Sequence, residues 1–176
     1  QNSSNSYSFS EKYSNTGGKF WPILAEDVDN DGITEVFSVF NDSTVEVWEV
    51  SSSLDLNKVA TLTNFSPSGF GFNIINSPNA VITDIDGDGI KEFWMIDQDG
   101  DIFGYKITGN NKFEKGYVIQ TGFLGSSAHL TAGDFNGDGR QELAVLLHSI
   151  DELDISPFYR LVVFNILNNQ VNFLYD

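Results

Sequence analysis

Nine residues recur three times in this 176-residue chain: DVDNDGITE from Asp27 to Glu35, DIDGDGIKE from Asp84 to Glu92, and DFNGDGRQE from Asp134 to Glu142. Each copy carries oxygen-bearing side chains at its first, third, fifth and ninth positions and glycine at its sixth. Carboxylates held this close repel one another unless positive charge sits among them. A hard cation such as Ca²⁺, which takes six to eight oxygen ligands, is the natural occupant. Asp and Gly also favour turns without any metal. Three copies in phase with a strand repeat ask for more than a solvated turn.

The loops begin 57 and 50 residues apart. Periods of that size mark repeated supersecondary units, β-propeller blades prominent among them. Each loop follows a short apolar run (FWPILAED, NAVITDID, SAHLTAGD) and precedes another (EVFSVF, KEFWMI, ELAVLL). The second runs are apolar at nearly every position, as expected of strands covered on both faces. A turn follows each one: Asn41 to Ser43, Asp97 to Asp101 and His148 to Pro157. Third strands (TVEVWEV, DIFGYKI, YRLVVFNI) and fourth strands (KVATLTNF, KFEKGYVIQ, QVNFLY) come next. Asn110-Asn111 and Asn168-Asn169 suit tight turns between them, because Asn tolerates positive φ. No helical period is sustained. The expectation is an all-β chain of three four-stranded antiparallel propeller blades: blade 1 over 20–65, an inter-blade loop over 66–79, blade 2 over 80–122 and blade 3 over 123–176. YSFSEKYS, within the N-terminal segment 1–19, reads as a strand resembling the last strand of a preceding blade. Propellers usually close with ~4–8 blades. These three are therefore expected to be part of a larger ring, or to be completed by other copies.

An EF-hand also opens D-x-D-x-D-G, but its twelfth residue is a bidentate Glu and a helix follows. Here position twelve is Ser38, Met95 and Val145, and strand-forming residues follow. A nine-residue loop between two strands fits better. The first copy would ligate through Asp27, Asp29, Asp31, Glu35 and the Ile33 carbonyl. The second would use Asp84, Asp86, Asp88, Glu92 and the Ile90 carbonyl, and the third Asp134, Asn136, Asp138, Glu142 and the Arg140 carbonyl. Gly32, Gly89 and Gly139 let the chain turn sharply around the ion. Up to three Ca²⁺ ions are expected. The third loop has one carboxylate fewer, so the weakest binding is expected there.

These residues resemble the FG-GAP/VCBS repeat, with D-x-[DN]-x-D-G-x-x-E between a first strand ending in AxxD and a second rich in Val, Leu and Phe. The resemblance covers residues 20–176, closest at AGDFNGDGRQELAVL, with Gly69-Phe70-Gly71-Phe72 as a weaker echo of the Phe-Gly signature. It implies the blades of a seven-bladed propeller, as in integrin alpha chains and many bacterial secreted proteins. It also implies Ca²⁺ in the loops between first and second strands, and a partner-binding face opposite them.

Composition narrows the function. The formal charge is −16, and eleven of the 25 acidic side chains lie in the three loops. So acidic a chain argues against nucleic acid or anionic membrane as a partner. There is no cysteine, hence no disulfide or thiolate site. No stretch approaches the ~18 apolar residues of a membrane span. The opening QNSSNSYSFS is polar and is no signal peptide, so any such segment is expected outside this sequence. Millimolar extracellular calcium suits weak carboxylate loops, with affinities of roughly 10⁻⁴–10⁻³ M. An extracellular or cell-surface setting is expected on that ground.

No nucleophile motif, phosphate loop or zinc spacing is present. His129 and His148 have no catalytic neighbour in sequence, and Arg occurs only at Arg140 and Arg160. Asp151, Glu152 and Asp154 read as a solvated loop, and Asp97 to Asp101 as a hairpin turn. Asn2, Asn41 and Asn64 each begin a glycosylation triplet, meaningful only in a glycosylating source. The family resemblance implies that Phe20-Trp21, the 66–79 loop with Phe70 and Phe72, Phe123-Leu124 and the 149–158 loop lie on the face opposite the metal loops. Aromatics there either plug the core or the blade junction, or anchor a protein or glycan partner. The leading expectation is a non-enzymatic calcium-binding propeller segment of a secreted or surface protein, mediating adhesion or assembly. The alternative is a carbohydrate-binding propeller module attached to a polysaccharide-active enzyme.

Overall fold

The structure, a computed structural model, describes residues 20–40, 44–63, 80–97, 100–121, 127–149 and 158–175. Among these there are twelve strands and no helix. β1 (Phe20–Glu26), β2 (Thr34–Phe40), β3 (Thr44–Val50) and β4 (Leu56–Leu62) form the first sheet, in that order. β5 (Ala80–Thr83), β6 (Glu92–Ile96), β7 (Ile102–Gly109) and β8 (Lys112–Ile119) form the second. The third holds β9 (Ser127–Gly133), β10 (Glu142–Ser149), β11 (Phe158–Leu167) and β12 (Gln170–Tyr175). Every pairing is antiparallel between neighbours in sequence, so each sheet is a four-stranded meander.

The sheets pack face to face, with β5 touching both β1 and β9. That stacking explains why the second runs are continuously apolar. All five residues of β6 are buried. Phe93 and Met95 point at Val39, Val45 and Val47 of the first sheet. Trp94 and Ile96 point the other way, at Leu143, Val145 and Val162 of the third. Period-two alternation thus puts one residue in each core in turn. Phe37 and Phe93 stack across the first junction at 4.6 Å, and Phe113 meets Phe37 edge-on at 5.8 Å.

The fourth strands are the wet edges: Lys112, Glu114 and Lys115 of β8 are exposed, as are Phe173, Leu174 and Tyr175 of β12. Within the second sheet Trp94 and Tyr117 stack at 5.4 Å over Gly104, the residue paired with both. A Cβ at Gly104 would stand 2.7 Å from the indole, so only glycine fits beneath the two rings. The paired-Asn turns form as expected: Asn111, Asn168 and Asn169 all have positive φ, at 55°, 52° and 59°. YSFSEKYS, the 64–79 segment with its Phe-Gly pairs, Asn41 to Ser43 and the 150–157 segment lie outside the described residues.

Candidate functional site

The three nonapeptides join first strand to second in each sheet, and the same backbone contacts shape all three. The ninth-position glutamate opens the second strand and reaches back to the loop's second residue. Glu35 Oε2 accepts the Val28 N–H at 2.9 Å, Glu92 Oε2 that of Ile85 at 3.0 Å, and Glu142 Oε2 that of Phe135 at 2.8 Å. The first aspartate accepts the glycine N–H at position six: Asp27 from Gly32 at 3.1 Å, Asp84 from Gly89 and Asp134 from Gly139, both at 2.9 Å. The fifth-position Oδ1 takes the N–H of residue seven, at 2.8 Å for Asp31 with Ile33 and Asp88 with Ile90, and 2.9 Å for Asp138 with Arg140. Third-position Oδ1 atoms of Asp29, Asp86 and Asn136 accept the fifth residue's N–H. Gly32, Gly89 and Gly139 sit at φ of 88°, 87° and 86°, where a side chain is strained.

Among the loop carboxylates, Asp27, Glu35 and Glu92 each keep one buried oxygen without a hydrogen bond. In the second loop one oxygen each from Asp84, Asp86, Asp88 and Glu92 lie within 4.8 Å of one another. In the first, Asp27, Asp29 and Glu35 do the same. Asp31 stays outside that group, its Oδ2 held by Asn110 Nδ2 at 2.7 Å. The third loop's carboxylates are not drawn into such a group. There the Asn136 amide donates to Asp138 Oδ2 and Glu142 Oε1, both at 3.1 Å. The backbone oxygens expected as ligands belong to Ile33, Ile90 and Arg140, each pinned by its own N–H as above.

Burial sharpens the electrostatics. Glu35, Glu92 and Glu142 are all fully buried. Glu35 Oε1, Glu92 Oε1 and Asp27 Oδ1 are buried without a hydrogen bond. The Trp94 indole lends Glu92 a weak polar contact that falls short of one. Burial pushes the Glu35 carboxyl up to about 7, against the Val28 N–H, with Asp29, Asp31 and Asp27 adding repulsion. Glu92 is likewise pushed up to about 7 by burial, against the Ile85 N–H, with Asp86 raising it and Lys106 lowering it. Clustered buried carboxylates of this kind either hold protons or hold a cation.

Several participants were not visible in the repeat itself. Lys106 on β7 pairs with Asp86 Oδ2 at 2.7 Å and also with Asp88. Tyr117 on β8 donates its hydroxyl to Asp86 Oδ2 at 2.5 Å. Burial would raise Asp86, yet Lys106 and Tyr117 hold it below the usual carboxylate range. Burial and Asp86 push the Tyr117 phenol up to about 12. The loops also join the sheets. The Asn110-Asn111 turn of the second sheet reaches the first loop, Asn111 N to Asp29 Oδ2 at 2.8 Å, and Asn111 Nδ2 to Glu49 at 2.5 Å. Lys91 in the second loop bonds Glu26 of β1 at 2.8 Å.

Elsewhere, His129 is exposed on β9 and His148 lies near the end of β10. Asp97 and Asp101 close a hairpin, Asp101 N donating to Asp97 Oδ1 at 3.0 Å. Asp151, Glu152, Asp154 and the loop residues Phe70, Phe72, Phe123 and Leu124 lie outside the described residues, as do Asn2, Asn41 and Asn64. Among the described residues no helix is long and apolar enough to cross a membrane.

The class is therefore an all-β protein of stacked four-stranded blades, each with an acidic loop between its first and second strands. Residues 84–145 match the family model of the FG-GAP-like repeat, from the first aspartate of the second loop to the middle of β10. The match takes in the second and third loops; the first loop, also within the 20–176 resemblance, lies outside it. No curated protein matches the chain.

Proposed function

We propose that this chain is a calcium-stabilised, non-enzymatic segment of a larger β-propeller in a secreted or cell-surface protein, serving adhesion or assembly. One observation carries the calcium reading. Glu35 and Glu92 are wholly buried, each spends one oxygen on the loop backbone, and each leaves the other unbonded among neighbouring carboxylates. An oxygen-liganded divalent ion resolves that arrangement, and the donors are those Ca²⁺ takes. Its role is structural: it would brace the turn that hands each first strand to the second. Asp27, Asp29 and Glu35 would hold one ion, Asp84, Asp86, Asp88 and Glu92 a second, and Asp134, Asn136, Asp138 and Glu142 a third.

The third sheet supports the larger ring. Its inward residues Val145, Leu147 and Val162 are buried against the second sheet, while Leu146, Leu161 and Tyr159 on the opposite face are 36%, 44% and 66% exposed. On the second sheet both faces are covered by neighbouring blades, and a further blade would cover this one likewise. Thermal unfolding in millimolar calcium and in chelator tests the reading. At a tenfold excess over Kd, one site stabilises the fold by roughly 1.4 kcal/mol, or about 3–6 °C in a chain of this size. An unmoved transition would remove calcium from the account.

A further inference from the structure

In the second loop the converging carboxylates meet an ammonium from their own sheet. Lys106 lies directly across the ladder from Glu92. Its Nζ is 2.7 Å from Asp86 Oδ2, is bonded to Asp88 Oδ2, and stands 3.9 Å from Glu92 Oε1. One lysine thus faces three of the four carboxylates. Its side chain is only 23% exposed, and the Tyr117 ring lies 5.9 Å from the nitrogen, so the stem is held. The same ladder position reads differently in the other blades. Glu49 stands opposite Glu35 in the first sheet. In the third, Asn165 follows Phe164, the partner of Leu143, and so faces Glu142. A single strand position therefore offers a negative, a positive and a neutral group to three otherwise similar loops.

We infer that Lys106 is a tethered cation that competes with divalent ions for the second loop, so that this loop takes calcium more weakly than the first. The inference rests on the proposal that the loops bind calcium. An entering ion must displace the ammonium or share Asp86 and Asp88 with it, and two cations a few ångströms apart repel strongly in a half-buried site. Glu92, fully buried with Oε1 unbonded, still draws an ion inward. Counting carboxylates alone ranks the third loop weakest; the ammonium moves the second loop down that order.

Calorimetric titration of CaCl₂ into the full chain carrying D27N and D134N, which disable the first and third loops, isolates the second. With K106M added, affinity should rise about tenfold or more. With K106R, which keeps the charge, it should stay near that of the chain retaining Lys106. If the K106M chain needs calcium to fold, its melting temperature across graded calcium gives the same comparison. Equal affinity with and without K106M, or equal tightening by K106R and K106M, would overturn the inference while leaving calcium binding intact. Silence in every protein, the unsubstituted chain included, would overturn the calcium reading and this inference with it.

Discussion

Stripped of divalent ions, the protein should lose stability as the pH is raised from 5 to 8. The cause lies in Glu35 and Glu92, whose carboxyls are held at about 7 rather than 4.5 because burial disfavours their charge. Between those values the folded chain keeps protons that the unfolded chain has already released. Stability is then full below pH 4.5 and is lost as the pH climbs through 7. Each glutamate contributes at most roughly 3 kcal/mol, the work of holding its proton from 4.5 up to about 7. Even part of that is a sizeable fraction of the 5–15 kcal/mol that holds an ordinary domain folded. Lys106 and Asp86 do not blur the window, since one is raised from 10.5 and the other lowered from 3.8. Calcium needs the ionised carboxylates, so the loaded protein should escape the loss, and its affinity should strengthen as the pH rises. Urea denaturation in chelator, followed by circular dichroism at pH 5, 6, 7 and 8, measures the slope. E35Q, which retains an acceptor for Val28 but cannot ionise, should roughly halve the drop. A flat or rising stability profile in chelator, or an E35Q protein with the full drop, would refute the reasoning.

Other consequences are structural. F93A should cost roughly 3–5 kcal/mol in urea denaturation, because Phe93 is fully buried and stacks on Phe37 at the first junction; a loss under about 1 kcal/mol would mean the sheets do not pack there. G104A should cost about 1–3 kcal/mol by forcing the Trp94 ring aside, and near-ultraviolet dichroism should report the disturbed Trp94–Tyr117 stack. N111A removes the side-chain bond to Glu49 and puts alanine at positive φ, at about 1–2 kcal/mol. Hydrogen exchange should show the loosening in both β3 and β8, since the turn bridges two sheets; loosening confined to β8 would contradict that bridge.

Strands, sheet order and loops were legible because their signals are local. The continuous apolar run EFWMI announces a strand with two buried faces, and β6 has them. Paired asparagines announce tight turns, and Asn111, Asn168 and Asn169 adopt the required φ. What could not be read locally was the company the loops keep. Lys106 is 14 residues beyond Glu92 and meets it only through the β6–β7 register. Asn110 and Asn111 reach the first loop across 79 and 82 residues, through the stacking of two sheets. A recoverable signal existed for the lysine: once strands are paired, the residue across from each ninth-position glutamate can be named, and it is Glu49, Lys106 and Asn165. The glutamate's second task, accepting the loop's second N–H, also needed three dimensions. Read along the chain it is only a ligand; in the fold it staples the loop's start to its end.

The most direct measurement is an anomalous difference map from crystals grown in calcium. A peak should stand about 2.3–2.6 Å from the side-chain oxygens of Asp27, Asp29 and Glu35, with a weaker one in the second loop beside Lys106. A clean map without a peak at the first loop, with Glu35 still buried and its Oε1 still unbonded, would contradict the claim that these nonapeptides are built around an ion.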